Sequence, residues 1–345
     1  MAVTVKDVAA LAGVSPSTVS RVCKNNPSIS KETRERVRRA MAKLGYEPAS
    51  PSTPGSQKTK QIGIILPPSQ REVYENSFYL AVIRGISQFC NQRQYASTII
   101  TGQDELEILQ AVRTLSRAEQ VEGFILLYSK TDDKIVEFLC EEGYLYALVG
   151  KASQLPSQTI CIDNDNLSAG REATDYLCKL GHRRIAYLGC EKAFLFSADR
   201  KAGYQLSLLQ HGLTPAPAFA IEAENFSYEK TDELRELLSR EDRPTAIVVC
   251  DDILALSLER VCSQMGLSIP EDISIVSFNN SLVSQLTHPQ LTSVDVNTFQ
   301  LGFEAASQLI NHAENPNLMA TKIIVPHSIV ERSSCRALSE DPETV

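Results

Sequence analysis

Residues 159–189, TICIDNDNLSAGREATDYLCKLGHRRIAYLG, contain the repeating unit that decides the fold of most of this chain. The stretch begins with the apolar run TICID, continues with the helical pattern LSAGREATDYLCKLG and ends in the apolar run RRIAYLG. Continuous apolar runs that alternate with helices are typical of parallel strands covered on both faces. The stretch therefore predicts a strand, a helix and a second strand.

The same alternation extends from Ile62 through most of the remaining chain. A first set of apolar runs consists of QIGIIL, ASTII, GFILLY, LYALVG and TICID, and a second set of RRIAYLG, AFAIEA, TAIVVC and ISIVSF. Two such sets, with helices between the strands, predict two doubly wound parallel-sheet α/β lobes with a cleft between them. Since ligands of this fold bind beyond the carboxyl ends of strands, the loops after the strands are the candidate site.

The composition is that of a cytosolic protein. The 345 residues, 43% of them hydrophobic, are enough for a small domain plus a larger two-lobed one. No apolar run approaches the ~20 residues needed to span a bilayer, and the N-terminus lacks the features of a signal peptide. The nine cysteines are scattered without a CxxC pair, which predicts reduced thiols rather than disulfides or a metal site.

Charge is distributed unevenly along the chain. Residues 1–60 hold 11 Lys and Arg against 4 Asp and Glu, whereas the formal charge of the whole chain is -8. The head is therefore +7 and the remainder -15. A basic head on an acidic body indicates a polyanionic partner for the head alone.

The head has the pattern of a helix-turn-helix. In the first helix, Thr4 and Asp7 resemble a capping box, and Val5, Val8 and Leu11 are predicted to share one face, before Gly13 ends the helix. A second helix begins with Ser15 as its cap and Pro16 at its first position, and Val19 and Val22 are predicted to point inward. A third helix follows Ser30, with an apolar line of Val37, Met41 and Leu44 and an opposite face of Arg34, Arg38, Arg39 and Lys43.

The outward residues of the second helix suit a major groove. They are short and polar, with one arginine, Arg21, that can form a bidentate bond to guanine. Ser17 can bond to several base edges and discriminates weakly between them. The hydroxyls of Ser15 and Thr18, with the amides at the helix N-terminus, can hold phosphate.

The head resembles the lac-repressor family of bacterial transcription regulators, through DVAALAGVSPSTVSRV and SKETRERVRRAMAKLGYEP. The body resembles the same family through NSFYLAVIRGI, VEGFILL, the stretch quoted first, DRKAGY, CDDILALSLERV, LSIPEDISIVSFNN and LTSVDVN. The resemblance implies an all-α helix-turn-helix head on a periplasmic-binding-protein-like body. It also implies that Pro16, Ser17 and Arg21 face base edges, while Thr4, Ser15, Thr18, Lys24 and Thr33 contact phosphate.

The resemblance also implies a set of effector-binding residues in the cleft. Phe78 and Tyr79 fall at its mouth, Phe226 where a ring stacks on the effector, and Asp163, Arg200 and Asp251 where polar groups bind it. Asn279, in SFNN, stands where the family commonly has Asp, which favours a neutral, hydroxyl-rich ligand. Lys151 follows the strand LYALVG, and both cleft contact and a solvated surface position are open for it.

The domain organisation implied by the resemblance is a head at residues 1–47, a linker at 48–60 and an effector-binding body at 61–345. Lobe 1 is predicted to comprise 61–161 and 294–321, and lobe 2 to comprise 162–292 and 322–335. The chain is expected to cross between the lobes three times, near 160–163, 291–295 and 320–324.

The function implied by the resemblance is repression of carbohydrate-use genes in a bacterial cytoplasm, on the nucleoid. The closest branch is that of the maltose-operon repressors, which implies a small neutral sugar such as maltose as effector. A homodimer on pseudo-palindromic operator DNA is expected, because one head covers one half-site and the tail RALSEDPETV has no leucine heptads.

Alternatives remain open at the level of sequence. A purine or a phosphorylated partner protein can control a regulator of the same fold, and a sugar-binding receptor without a role on DNA belongs to another class. Enzymatic activity and a cofactor are not expected. No GxGxxG follows the first strand, no Walker loop is present, and the five histidines have no metal-ligand spacing.

The linker ASPSTPGSQKTK, residues 49–60, departs from the family, which usually has a short helix here that inserts a leucine into the minor groove. It contains no large apolar residue, and its Pro51 and Pro54 cannot both occupy the first position of a helix. An interior proline costs ~3 kcal/mol, and prolines at this spacing favour polyproline II. The linker is therefore predicted to be a tether, in which Pro51 or Pro54 could partly replace the wedge.

Replacing residues 49–60 with a leucine-bearing hinge of the family tests this interpretation. A tether bends the operator weakly and couples the effector weakly to the head, so the replacement should raise operator affinity and enlarge the response to sugar. Both are measured by fluorescence anisotropy on operator DNA with and without sugar. If neither quantity changes, the tether interpretation is wrong.

Overall fold

The chain is described by a computed structural model that covers residues 5–15, 18–19, 22, 30–44, 46, 60–69, 76–117, 121–190, 193–222 and 231–338. It divides into two compact units, residues 1–59 and 60–345. Among the described residues, no helix has the length and apolar character needed to cross a membrane. The eight cysteines in this part of the chain are free thiols.

The smaller unit contains helices α1 (Val5–Ala12) and α2 (Lys31–Leu44), and Thr18, Val19 and Val22 between them are also helical. Its core confirms the predicted burial of Val19, Val22 and Val37. Gly13 has a positive φ of 63°, which the end of the first helix requires.

Leu11, predicted to share one helical face with Val5 and Val8, is 45% exposed and does not lie in the core. The buried face of α1 is instead formed by Val8, Ala9 and Ala12. Residues at positions i, i+1 and i+4 face the same side of a helix, and the two alanines let the neighbouring helices approach closely.

Lobe 1 begins the larger unit and is built mainly from its first third. In chain order its elements are β1 (Gln61–Ile65), α3 (Ser77–Gln92), β2 (Ala96–Ile100), α4 (Glu105–Arg117), β3 (Val121–Leu126), α5 (Lys134–Glu141), β4 (Tyr146–Val149) and β5 (Ile160–Asp163). Two later elements complete it, α11 (Thr298–Glu314) and β11 (Lys322–Ile324). The sheet order is β11-β5-β4-β3-β1-β2, with every pair parallel.

Lobe 2 repeats this plan. Its elements are α6 (Asn166–Lys179), β6 (Ile185–Gly189), α7 (Leu195–Gln210), a 3-10 turn (Pro217–Phe219), β7 (Ala220–Glu222), α8 (Thr231–Leu238), β8 (Ala246–Val249), α9 (Asp252–Gln264), β9 (Ser274–Phe278), α10 (Leu282–Leu286), β10 (Thr292–Asp295) and β12 (Ser328–Val330). The sheet order is β12-β10-β9-β8-β6-β7, and only β12 is antiparallel to its neighbour among these described strands. The predicted pair of doubly wound α/β lobes is confirmed.

The three crossings between the lobes lie a few residues later than predicted. β5 stays in lobe 1 as far as Asp163, and β10 stays in lobe 2 as far as Asp295. The predicted boundaries place β11 in lobe 2, but Lys322 pairs with Cys161 of β5 in lobe 1. Each strand keeps its hydrogen bonds to its own sheet until its last residue, and the chain crosses only after those bonds end.

One pair of helices crosses at backbone contact in each lobe. In lobe 1, α3 and α11 meet at Gly85 and Gly302, where an added Cβ would lie 2.1 Å from the oxygen of Phe299 and 2.0 Å from that of Val82. In lobe 2, α6 and α7 meet in the same way at Gly170 and Gly203. Because these glycines have no side chain, the two helices of each pair pack at backbone distance, and this spacing sets how closely they cover the sheet.

Gly302→Ala should destabilise the larger unit, because a methyl group at that position overlaps a backbone oxygen and forces α11 away from α3. Overpacking of this kind costs roughly 1–3 kcal/mol, more than alanine gains from its helix propensity. Urea unfolding followed by circular dichroism measures the loss. Ser307→Ala, which adds no atom on the same helix, is the control and should stay within about 0.5 kcal/mol of wild type.

Candidate functional site

A cavity of about 60 Å³ lies where the carboxyl ends of the strands of both lobes meet. Lobe 1 contributes most of the lining residues and lobe 2 the remainder, and the crossing that follows β5 forms part of the wall. Its polar and aromatic lining consists of Asn76, Phe78, Tyr79, Tyr128, Ser129, Asp163, Asn164, Asn166, Phe196, Arg200, Asp251 and Asn279. Ligand pockets occupy at least ~300 Å³, so the cleft in this arrangement is narrower than a typical ligand pocket.

Arg200 projects from α7 and is almost completely buried. Its Nε donates to Asn166 Oδ1 at 2.8 Å and its Nη1 to the carbonyl oxygen of Cys250 at 2.7 Å. The rings of Phe278 and Phe196 lie 4.2 and 5.0 Å from the guanidinium carbon. Burial lowers the pKa of Arg200 from its ordinary value. Among the described residues, these contacts occupy two of the five N–H donors of the Arg200 guanidinium. They hold the guanidinium in one orientation.

Asp251 joins the two lobes directly. Its Oδ1 accepts from the backbone N–H of Ile253 at 2.7 Å and so caps α9, while its Oδ2 accepts from Asn279 Nδ2 at 2.8 Å and from Asn76 Nδ2 at 3.1 Å. Asn76 in turn caps α3, since its Oδ1 accepts from Phe78 N at 3.0 Å. Burial raises the pKa of Asp251. The caps of one helix in each lobe are thus bonded to each other across the cleft.

Asn279 donates its amide to a carboxylate within the site. Asn279 brings one fewer negative charge to the cleft than an Asp at this position would, and the carboxylate of Asp251 lies 2.8 Å from its amide. The cleft therefore keeps a carboxylate beside Asn279, and the amide is directed toward that group.

Asp163 ends β5 beside Arg200. Its Oδ1 accepts from the backbone N–H of Asn164 at 2.8 Å and from Asn166 Nδ2 at 2.9 Å. Burial raises the pKa of Asp163 from 3.8 to about 6, against the opposing effects of the Asn164 N–H and the Arg200 charge. Asp163 is therefore a carboxyl group of the cleft whose pKa lies in a mildly acidic range.

The aromatic residues predicted at the mouth line the cavity. Tyr79 is buried and Phe78 half-buried, and their rings meet edge to face with centroids 5.3 Å apart. Phe226, predicted to stack on the effector, lies outside the described residues.

Lys151 does not line the cavity. Its Nζ lies 2.5 Å from Asp199 on α7, and 47% of its side chain is exposed. Of the two alternatives left open by the sequence, the structure favours the surface position, where Lys151 forms an ion pair between the lobes. A second connection runs beside it, because Leu195 N donates to Ser129 O and Thr131 N to Ala193 O, both at 3.1 Å.

Several lining residues were not predicted from the sequence. Asn76 could have been found as the helix cap two residues before Phe78, and Tyr128 and Ser129 as the residues that follow β3. Asn164 and Asn166 flank Asp165 directly after β5, where the fold places its ligands. Phe196 had no such signal, because its role depends on stacking against Arg200.

The predicted DNA-contacting residues of the head are only partly within the described residues. Thr4, Pro16, Ser17, Arg21 and Lys24 lie outside them. Ser15 Oγ accepts from Thr18 N at 3.2 Å, and Ser30 Oγ accepts from Thr33 N at 3.3 Å. These hydroxyls stand at helix N-termini, where backbone N–H groups and the helix dipole favour phosphate.

The third helix of the head carries the predicted basic surface. Of the predicted basic face, Arg38, Arg39 and Lys43 on α2 are exposed, as is Arg36, whereas Arg34 is half-buried. Arg39 lies 3.7 Å from Glu35 with both side chains largely in solvent, and such a pair is weak. The surface therefore remains cationic and suited to a polyanion.

Comparison with known proteins gives consistent matches. Residues 4–49 match the family described as bacterial regulatory proteins, lacI family, and residues 174–335 match the periplasmic binding protein-like domain. The HTH-type transcriptional regulator MalR of Streptococcus pneumoniae is 36% identical over 340 residues, which cover 96% of this chain and 100% of MalR.

Two solved structures show the same fold over most of the chain. The complex of the transcriptional regulator CelR with cellobiose has a TM-score of 0.75 and 28% identity, and the match covers 96% of this chain and 100% of CelR. A staphylococcal structure described as a probable maltose operon transcriptional repressor, MalR, has a TM-score of 0.74 and 27% identity, covering 81% of this chain and 99% of that one.

Asp163→Asn should flatten the pH dependence of stability in the acidic range. The folded state holds the Asp163 proton more tightly than the unfolded chain, so this group's contribution is fully present below pH 3.8 and is lost as pH rises through about 6. At ~1.4 kcal/mol per pH unit, the loss amounts to roughly 3 kcal/mol. The asparagine keeps both hydrogen bonds to its oxygen and does not ionise.

Urea unfolding at several pH values between about 4 and 7 measures the slope of the free energy of unfolding against pH. Asp252, buried with Ser277 and Ser293, also has a pKa raised to about 6, so the Asp163→Asn protein should lose only part of the slope. Asp104→Asn, on the surface, controls for the change in net charge. An unchanged slope in the Asp163→Asn protein would contradict the assignment.

Proposed function

Because the chain belongs to the lacI family of bacterial regulatory proteins, we propose that it represses carbohydrate-use genes under the control of a small neutral sugar. The head binds operator DNA, and the cleft between the lobes binds the effector. Maltose or a related short maltodextrin is the proposed effector. Operator binding by the head is strongly dependent on salt, because its contacts include phosphate.

The composition of the cleft is the observation that supports a neutral sugar. Arg200 offers a rigid fork that suits neighbouring hydroxyls, and Asn76, Asn166 and Asn279 add amides that both donate and accept. The rings of Phe78 and Tyr79 supply apolar faces for a sugar ring. The lining contains two carboxyl groups, Asp163 and Asp251, and one guanidinium, Arg200. This balance of charge disfavours an anionic ligand.

The similarity to a solved complex with a carbohydrate supports the same class of effector. CelR has been solved with cellobiose, a carbohydrate, and shares its two-lobed architecture with this chain. The similarity to MalR of Streptococcus pneumoniae and to the staphylococcal maltose operon repressor supports maltose within that class.

A homodimer is part of the proposal. One head reads one half-site, so a pseudo-palindromic operator needs two. Both lobes expose leucines on helices, namely Leu80 on α3 and Leu282 and Leu286 on α10, each more than half exposed. These residues are the proposed contacts of a second copy of the chain.

Sugar acts in this proposal by selecting one arrangement of the lobes. The groups that would hold it, Asp251 and Asn76, are bonded to each other when the lobes lie close together. A sugar that enters replaces this bond with bonds to its own hydroxyls and stabilises a different spacing of the lobes. That difference in affinity between two arrangements is what shifts the head between DNA-binding states.

A thermal-shift screen of mono-, di- and oligosaccharides beside nucleobases tests the effector class and the role of Arg200. At 100 times its Kd, a bound sugar stabilises the protein by about 2.7 kcal/mol. In Arg200→Ala, the affinity for that sugar should fall by at least ~tenfold, or about 1.4 kcal/mol, because its hydroxyls lose the charged fork. The shift should therefore shrink or disappear.

Lys201→Ala is the matched control, since it removes a cation of the same helix that pairs with Glu222 within lobe 2 and does not line the cavity. It should keep the shift of the wild type. Arg200→Lys serves if Arg200→Ala unfolds, because lysine keeps the charge without the fork. A sugar that stabilises the Arg200 variants undiminished contradicts the site, and a shift with nucleobases alone contradicts the effector class.

A further inference from the structure

Three crossings connect the lobes and must move whenever the cleft opens. They comprise residues 163–166 after β5, 295–298 after β10 and 324–328 after β11. Val296 and Val325, in the second and third crossings, are buried. The crossings are therefore packed segments in which main-chain groups need partners.

Asn164 bonds the first crossing to both of the others. Its Nδ2 donates to the carbonyl oxygen of Val296 at 3.0 Å and to that of Val325 at 2.8 Å. Only the NH2 end of an amide can face two carbonyl oxygens, so the orientation of the side chain is determined by its partners. Asn164 itself is only 5% exposed.

Further bonds hold the same segments together. Val325 N donates to the carbonyl oxygen of Asp163 at 2.8 Å, and Asn297 Nδ2 donates to that of Pro326 at 2.8 Å. These bonds join the crossings in pairs. Among the described residues, Asn164 is the side chain that reaches two crossings other than its own.

The same residue is two hydrogen bonds away from the arginine of the cleft. The carbonyl oxygen of Asn164 accepts from Asn166 N at 2.9 Å, and Asn166 Oδ1 accepts from Arg200 Nε at 2.8 Å. A ligand that displaces Arg200 therefore acts, through these two hydrogen bonds, on Asn164, which joins the three crossings.

We infer that Asn164 is a positioning residue that makes the three crossings move as one and so transmits effector binding to the arrangement of the lobes. This inference rests on the proposed function for its allosteric part. While the amide holds both carbonyls, the crossings cannot rotate separately, and the lobes exchange between few arrangements. Without it the lobes sample more arrangements, and a bound sugar biases any one of them less.

Two variants separate the amide from the volume of the side chain. Asn164→Asp keeps the size but places a carboxyl oxygen opposite two carbonyl oxygens, and Asn164→Ala removes the group. Ser116→Ala is the control, because it removes a buried hydroxyl-to-carbonyl bond within α4 of lobe 1, away from the crossings. All are made in the full chain.

Amide hydrogen exchange without any sugar is the first measurement. Peptides that contain residues 295–298 and 324–328 should exchange at least ~tenfold faster in both Asn164 variants. In these variants, local opening of the two segments no longer requires the hydrogen bonds of the Asn164 side chain to break. In Ser116→Ala they should exchange as in the wild type. If Asn164→Ala does not fold, Asn297→Ala, which removes one bond between two crossings, should show a smaller increase in the same peptides.

Coupling is the second measurement, with maltose as the probe. The coupling ratio compares the operator Kd measured with saturating maltose with the operator Kd measured without maltose. This ratio should fall at least ~fivefold in the Asn164 variants. Because Asn164 also lines the cavity, the Kd for maltose is measured in parallel, and it should rise by a smaller factor than the coupling ratio falls. A purely structural role would lower stability and leave the coupling ratio of the folded protein unchanged.

The outcomes are distinguishable. Unchanged exchange at the crossings overturns the inference, and so does a loss of maltose affinity as large as the loss of coupling, which would make Asn164 a ligand contact. If the wild type ignores maltose and every other sugar, the proposed function fails, while the exchange measurement still decides whether Asn164 holds the crossings together.

Discussion

The buried guanidinium of Arg200 is the constraint around which the cleft is organised. A charge taken out of water is costly unless nearby groups bond to it and cover it. Here an amide and a backbone carbonyl receive its N–H groups, and two phenylalanine rings cover its faces. The strands and helices that supply these groups must therefore keep their positions for Arg200 to stay bonded.

The helices of the two lobes pack on their sheets in the same way. Each covers its sheet with a pair of helices that cross at glycines, and each places a helix cap at the cleft. The caps, Asn76 and Asp251, are bonded to one another, so the local structure of two helices is tied to the distance between the lobes. A ligand that separates the caps therefore changes helix ends as well as the width of the cleft.

Most of the fold could be predicted from the sequence, because parallel strands buried on both faces are continuous apolar runs that helices separate. The crossings could not be placed correctly, since a strand such as β11 has the same apolar character in either sheet. In the cleft, Asp163, Arg200 and Asp251 were predicted from the resemblance, and all line the cavity. The position of Lys151 could not be decided from the sequence, because its partner Asp199 is distant along the chain.

The late return of the chain to lobe 1 has a consequence for how the protein is made. The sheet of lobe 1 ends in β11, and Gly302 of α11 packs against its first helix. A nascent chain that has emerged only as far as β10 lacks both elements, so most of lobe 2 is complete before lobe 1 can close its core. We expect the core of lobe 1 to stay exposed to solvent until α11 and β11 have been synthesised.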